Sequence, residues 1–134
     1  MSNPDDPAAW VAKAQSDLLC IENNLSAAEV PWDAVCFHAH QAAEKMLKAL
    51  LISQGAAPAR THDLGALLGE SVAQGAPLAA LQADCDFLNL YAVASRYPGA
   101  GPEPTESVGR RAIAAAKRVH QAVLPLLQKG GGDE

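Results

Sequence analysis

Aromatic residues are scarce in this chain, with two tryptophans, two tyrosines and two phenylalanines in 134 residues. The β-branched residues that fill strands are also few. Alanine and leucine, strong helix formers, carry most of an apolar content of 49%. This composition excludes a strand-rich architecture and predicts an all-α fold. Charge is sparse, and the formal net charge of -5 argues against a broad basic surface for nucleic acid while leaving room for a local basic site. Three cysteines, Cys20, Cys36 and Cys85, are too few and too widely spaced for a disulfide framework. Each lies in an apolar-periodic stretch, which predicts buried free thiols in a reducing compartment. No apolar run is long enough to cross a bilayer, and residues Met1 to Pro7 are polar and acidic, unlike a signal peptide. The expectation is a soluble, cytoplasmic protein without membrane association.

The length suits one domain, expected over residues 1–129, with 130–134 as a flexible tail. Asp5, Asp6 and Pro7 form an acidic start signal, and Trp10, Ala14, Leu18, Ile21 and Leu25 recur at helical spacing, predicting a helix over about 7–26. Pro31 suits the first position of a second helix that runs to Gln54 and ends at Gly55. Thr61 is the expected cap of a third helix, with Asp63 in its first turn and Leu64, Leu67, Leu68 and Val72 inward. Gly75 and Pro77 end it and open a fourth, which buries Leu78, Leu81, Cys85 and Leu88 and carries Arg96 at its end. The proline- and glycine-rich stretch from Arg96 to Pro104 forbids a helix interior. A fifth helix is expected from Thr105, with Pro125 disturbing its last turn. These elements predict an antiparallel four- or five-helix bundle.

Projected at 100° per residue, the second helix turns Val35, Cys36, Ala39, Ala43, Met46, Leu47 and Leu50 to the core. His38, Gln41, Lys45 and Lys48 fall within an arc of about 80° on the other side. Asp33, His40 and Glu44 form a shoulder beside them, and Phe37 lies between, suited to packing on a neighbouring helix or a second subunit. The stripe has two readings. It is a solvated face with ordinary i,i+4 pairs such as Glu44–Lys48, or it is an anion site in which two lysines and an imidazole meet phosphate oxygens and Gln41 adds an amide. In the second reading His62, beside unpaired N–H groups at the third helix's start, and Arg96 complete a nucleotide or anion site. Cys36 and His40 are too few ligands for a structural metal site, and no metal or cofactor is expected. No phosphate-binding glycine loop, dinucleotide fingerprint or nucleophile elbow is present.

The run Phe37-His38-Ala39-His40-Gln41-Ala42-Ala43-Glu44-Lys45-Met46-Leu47-Lys48-Ala49-Leu50-Leu51 resembles the signature helix of prokaryotic HEPN domains, H-x-x-Q-A-A-E-K-x-L-K-A-L-L. Thr61-His62-Asp63-Leu64 resembles that family's THDL segment, and Ser95-Arg96-Tyr97-Pro98-Gly99 its ARYPD segment. Ala14, Asp17 and Leu18 fit the opening helix. The resemblance implies a HEPN-like helical bundle that dimerises and partners a minimal nucleotidyltransferase, as in toxin–antitoxin systems, with nucleotide binding as a further implied property. Some members are ribonucleases that use an Arg-x4–6-His motif. Here the positions after Arg96 hold Gly101, Pro102 and Glu103, and Arg60, Arg110, Arg111 and Arg118 also lack a histidine at that spacing. The general acid/base residue is therefore missing, and no catalytic residue is carried over. Three functions remain as expectations. The first is a non-enzymatic homodimeric accessory protein; the second is a ribonuclease toxin with a non-standard site around Arg96, His62 and His38. The third is a purely structural helical module. RNA as a partner is left open.

Overall fold

Asp6 begins the first helix by accepting a hydrogen bond from the Ala8 N–H at 3.0 Å, with Pro7 at the first helical position, where no N–H is needed. The computed structural model describes residues 3–92, residue 98 and residues 103–131, with side chains as far as Leu127. Its helices are α1 (Pro7–Leu25), α2 (Trp32–Ser53), α3 (Leu64–Ala73), α4 (Gln82–Asn89) and α5 (Glu106–Gly131), and a 3-10 turn at Ala79–Leu81 leads into α4. Among the described residues there is no strand, and the all-α reading holds: the molecule is a helical bundle. No helix of the described residues is long and apolar enough to cross a membrane.

At 22 residues α2 is roughly 33 Å long. It packs against α1 and α5 along its sides and also touches α3 and α4. The central position follows from its composition, since apolar residues surround most of its circumference. Met46, Leu47 and Leu51 are fully buried, with Ile21 of α1, Leu64, Leu67 and Leu68 of α3, Leu88 of α4 and Val119 and Val123 of α5 in the same core. Alanines at Ala39 and Ala43 on α2 and Ala112 and Ala116 on α5 are equally buried and let the helix backbones approach closely. Closest of all is Gly109 on α5, where a Cβ would lie 2.3 Å from the Trp32 ring of α2.

Gly55 takes a φ of +86° and closes α2, its N–H bonding the Ile52 carbonyl while the Ala56 N–H bonds that of Leu51. Gly75, at φ +104°, closes α3 the same way. Several boundaries differ from the sequence reading. Pro31 lies just before α2 and caps it through its carbonyl, which accepts from the Val35 N–H. Asp63, and not Thr61, caps α3, because a carboxylate there reaches two N–H groups at once. Thr61 instead accepts from the Asp63 N–H. The fourth helix begins at Gln82, after the 3-10 turn, and ends at Asn89, well short of Arg96. Thr105 caps α5 as expected, accepting from Val108. Pro125 is accommodated inside a helix that continues to Gly131.

Cys36 and Cys85 are buried, and burial pushes their thiols up to about 11 and about 12. Cys20 is exposed, contrary to expectation, because it falls on the outer side of α1.

Candidate functional site

The polar residues of α2 are organised by two carboxylates. Asp17 projects from α1 and is 6% exposed, although its neighbours at helical spacing, Ala14 and Ile21, belong to the core. It accepts from His38 Nδ1 at 2.9 Å and Lys45 Nζ at 2.7 Å, tying α1 to α2. Glu44, on α2 itself and 4% exposed, accepts from Lys48 Nζ at 2.9 Å and His62 Nδ1 at 2.9 Å. Each carboxylate thus holds one lysine and one imidazole. Burial acts on the Glu44 carboxyl most strongly and upward, but hydrogen bonds from His62 and Lys48, with their charge, outweigh it and hold the group below its ordinary value.

His40 continues the second cluster inward. It is fully buried, and its Nε2 donates to the His62 carbonyl at 2.8 Å. A carbonyl oxygen only accepts, so the proton sits on Nε2 and Nδ1 is left with a lone pair. Among the described residues that Nδ1 has no hydrogen-bond partner, and it lies 3.8 Å from Glu44 Oε1. Burial keeps His40 neutral by lowering its pKa, against the opposing pull of the His62 carbonyl and Glu44. His62 itself is held at Nδ1 while its side chain stays 59% exposed.

The start of α3 is closed. The Leu64 N–H donates to Asn89 Oδ1 at 2.8 Å, and those of Gly65 and Ala66 to Asp63 Oδ1 at 2.9 and 3.3 Å. Asn89 also donates to Asp63 at 3.0 Å. The unpaired N–H groups expected there are therefore occupied by side chains.

Of the six residues singled out from the sequence, the fold gathers Lys48 and His62 at Glu44, and His38 and Lys45 at Asp17. Gln41 is half-buried on the same helix, and Arg96 lies outside the described residues. The Lys48–Glu44 pair is the i,i+4 contact foreseen for a solvated face, but its carboxylate is buried and its lysine only partly exposed, and Lys45 bonds Asp17 across helices. Glu44 and His40 are core residues, not a surface shoulder; both sit three or four residues from Cys36, Ala43 or Leu47, so the helix period carries them inward. Asp17 was absent from the proposed site. Its signal was a carboxylate at core spacing in α1, which demands a buried cationic partner. His120 is half-buried, with Nε2 enclosed and without a partner among the described residues, and burial lowers its pKa. Asp84 forms a two-pronged pair with Arg118 at 2.7 and 2.8 Å. Phe37 is half-buried with its ring edge-on to His38, beside a cavity of about 380 Å³. Among the described residues no group of three His, Cys, Asp or Glu side chains could hold a metal ion.

Two lysine–carboxylate–imidazole clusters built on buried carboxylates against the central helix, with the THDL segment supplying His62, agree with the family pattern in the sequence. The family model for the HEPN domain matches residues 8–127. The chain belongs to the HEPN domain family. No curated protein and no solved structure matches it.

Proposed function

We propose that this HEPN protein is a non-catalytic accessory subunit that dimerises and docks a partner protein, a minimal nucleotidyltransferase being the partner its family resemblance implies. The observation that carries this reading is the neutralisation of the α2 stripe. Both lysines and both histidines that would meet a phosphate already hold buried carboxylates at hydrogen-bond distance. An incoming anion would have to displace Asp17 or Glu44 and leave it buried without a partner, at a cost of roughly 3 kcal/mol or more. This favours a stripe that holds helices together over one that binds a nucleotide. The missing histidine after Arg96 points the same way. The test is co-expression with a minimal nucleotidyltransferase encoded in the same genome, followed by co-purification and sedimentation at micromolar concentration. The expected result is a homodimer that travels with the enzyme. A monomer that fails to co-purify would remove the proposal.

One arrangement favours a second reading. His62 is fixed through Nδ1 by buried Glu44 and presents an exposed ring, the geometry of a positioned general base. In this reading the chain is a ribonuclease with a non-standard site, and His62→Ala abolishes RNA cleavage by the purified protein. Intact RNA after prolonged incubation with the wild-type chain would dispose of it.

A further inference from the structure

Two imidazole nitrogens converge on one buried oxygen. Glu44 Oε1 accepts from His62 Nδ1 at 2.9 Å, and His40 Nδ1 lies 3.8 Å from the same atom. Lys48 Nζ holds the other oxygen, Oε2, at 2.9 Å. With His40 neutral, the carboxylate faces one ammonium and one donating imidazole. With His40 charged, it faces a second cation inside the protein, and a third when His62 is charged as well.

These neighbours differ in their freedom to leave. His40 is fully buried and donates from Nε2 to the His62 carbonyl at 2.8 Å. The Lys48 side chain is 12% exposed, with its ammonium 5.6 Å from the Trp10 ring centroid. His62 is 59% exposed, so its ring reaches water by a small rotation. Among the described residues, Glu44 and His62 are the charged or titratable groups that act on His40, and α4 adds the neutral amide of Asn89. Asp63 is turned to the α3 cap and to Asn89, and Cys36, one turn away on α2, is a thiol that burial keeps neutral.

We propose that these residues form an acid-operated latch: a proton taken from solvent onto His40 Nδ1 makes it a donor to Glu44 Oε1, and the His62 ring is expelled into water. The bond formed is from His40 Nδ1–H to Glu44 Oε1, and the bond lost is from His62 Nδ1–H to that oxygen. Like charges this close in a protein interior repel strongly, and only the exposed ring has somewhere to go. A proton on His62 alone strengthens its bond to the carboxylate and keeps the latch shut. The His40 bond to the His62 carbonyl survives, so the backbone before α3 stays in place. Burial holds the charge on His40 back, so the latch opens below the ordinary histidine value of about 6.5, while Glu44 keeps its own charge to below about 4.3. The device does not depend on the docking of a partner protein.

The test is a pH titration of the full chain carrying isotope-labelled histidine, followed by NMR at the ring nitrogens. His38→Gln, His62→Gln and His120→Gln assign three of the four rings, and the remaining one is His40. The expected result is one step, between about pH 6.5 and about pH 4.3, in which His40 gains its second ring proton and His62 Nδ1–H loses its hydrogen bond. The backbone signals of α2 and α3 stay those of the folded chain across it. In His40→Gln, whose amide still donates to the His62 carbonyl but takes no charge, His62 stays on Glu44 until the pH falls below about 4.3. His62 still bonded after His40 is charged overturns the proposal, and so does His62 released while His40 is neutral. Release at an unchanged pH in His40→Gln overturns it as well. Where that variant does not fold, the wild-type titration decides alone, and a His40 that stays neutral until the chain unfolds counts against the latch.

Discussion

At the scale of single residues, Glu44 holds the most consequential charge in the protein. It is buried with Lys48 and His62 on its two oxygens, and Lys48 is itself only 12% exposed. Glu44→Ala strands that ammonium, and the expected loss is about 3 kcal/mol in urea unfolding, at the low end for buried pairs because the lysine stem can reach water. The same change at exposed Glu22 is expected to cost less than about 0.5 kcal/mol. Acid acts through these groups in two steps. The folded pKa values of His40 and His120 are depressed, so the unfolded chain takes up protons first and stability declines as pH falls below about 6.5. The folded pKa of Glu44 is also depressed, so its contribution is complete above the ordinary glutamate value and is lost as pH falls below about 4.3. Urea midpoints measured from pH 8 to pH 2.5 should fall in both windows, beginning at about 6.5 and about 4.3. His40→Gln should flatten the upper one. An unchanged slope in that variant would show that His40 does not titrate on unfolding.

At the scale of elements, the contact between α2 and α5 depends on a glycine. Alanine at position 109 gains helix propensity worth about 1 kcal/mol but drives its Cβ into the Trp32 ring. That ring is half-buried and has the Arg110 guanidinium 5.4 Å from its centroid, so it has little room to yield. The clash is expected to win, with Gly109→Ala destabilising by about 2 kcal/mol and Trp32→Leu restoring most of the loss in the double variant. Chemical denaturation of the four proteins in the cycle checks this. Asp63 joins α3 to α4 as well as capping α3, since the carboxylate that receives Gly65 and Ala66 also receives Asn89. Asp63→Ala should therefore cost about 2 kcal/mol, the upper end of the range for a cap, while Thr61→Ala should cost less than half as much. Equal costs would return the capping role to Thr61.

At the scale of the whole molecule, every other helix packs on α2, so no part of the bundle can unfold and leave the rest with a core. Leu51, fully buried near the C-terminal end of α2, tests this cooperativity. Leu51→Ala should cost about 3 kcal/mol and still unfold in one transition, with circular dichroism and tryptophan fluorescence coincident. Separated transitions would mean that the α3–α4 layer melts on its own.

The all-α class, the number of helices, the two glycine stops and the long central helix were all legible in the sequence. Helix period, capping and glycine conformation are local properties, read from neighbours in the chain. The family was legible too, because its motifs lie in contiguous runs. The candidate site was only half legible. The spacing placed His38, Lys45 and Lys48 on one stripe, but their partners come from elsewhere in the chain: Asp17 lies 28 residues before Lys45, and His62 lies 18 after Glu44. Which charge meets which carboxylate depends on how α1 and the start of α3 lie against α2, and no residue's own neighbours encode that. The same packing decided that Glu44 and His40 are inside and that Asn89 closes α3.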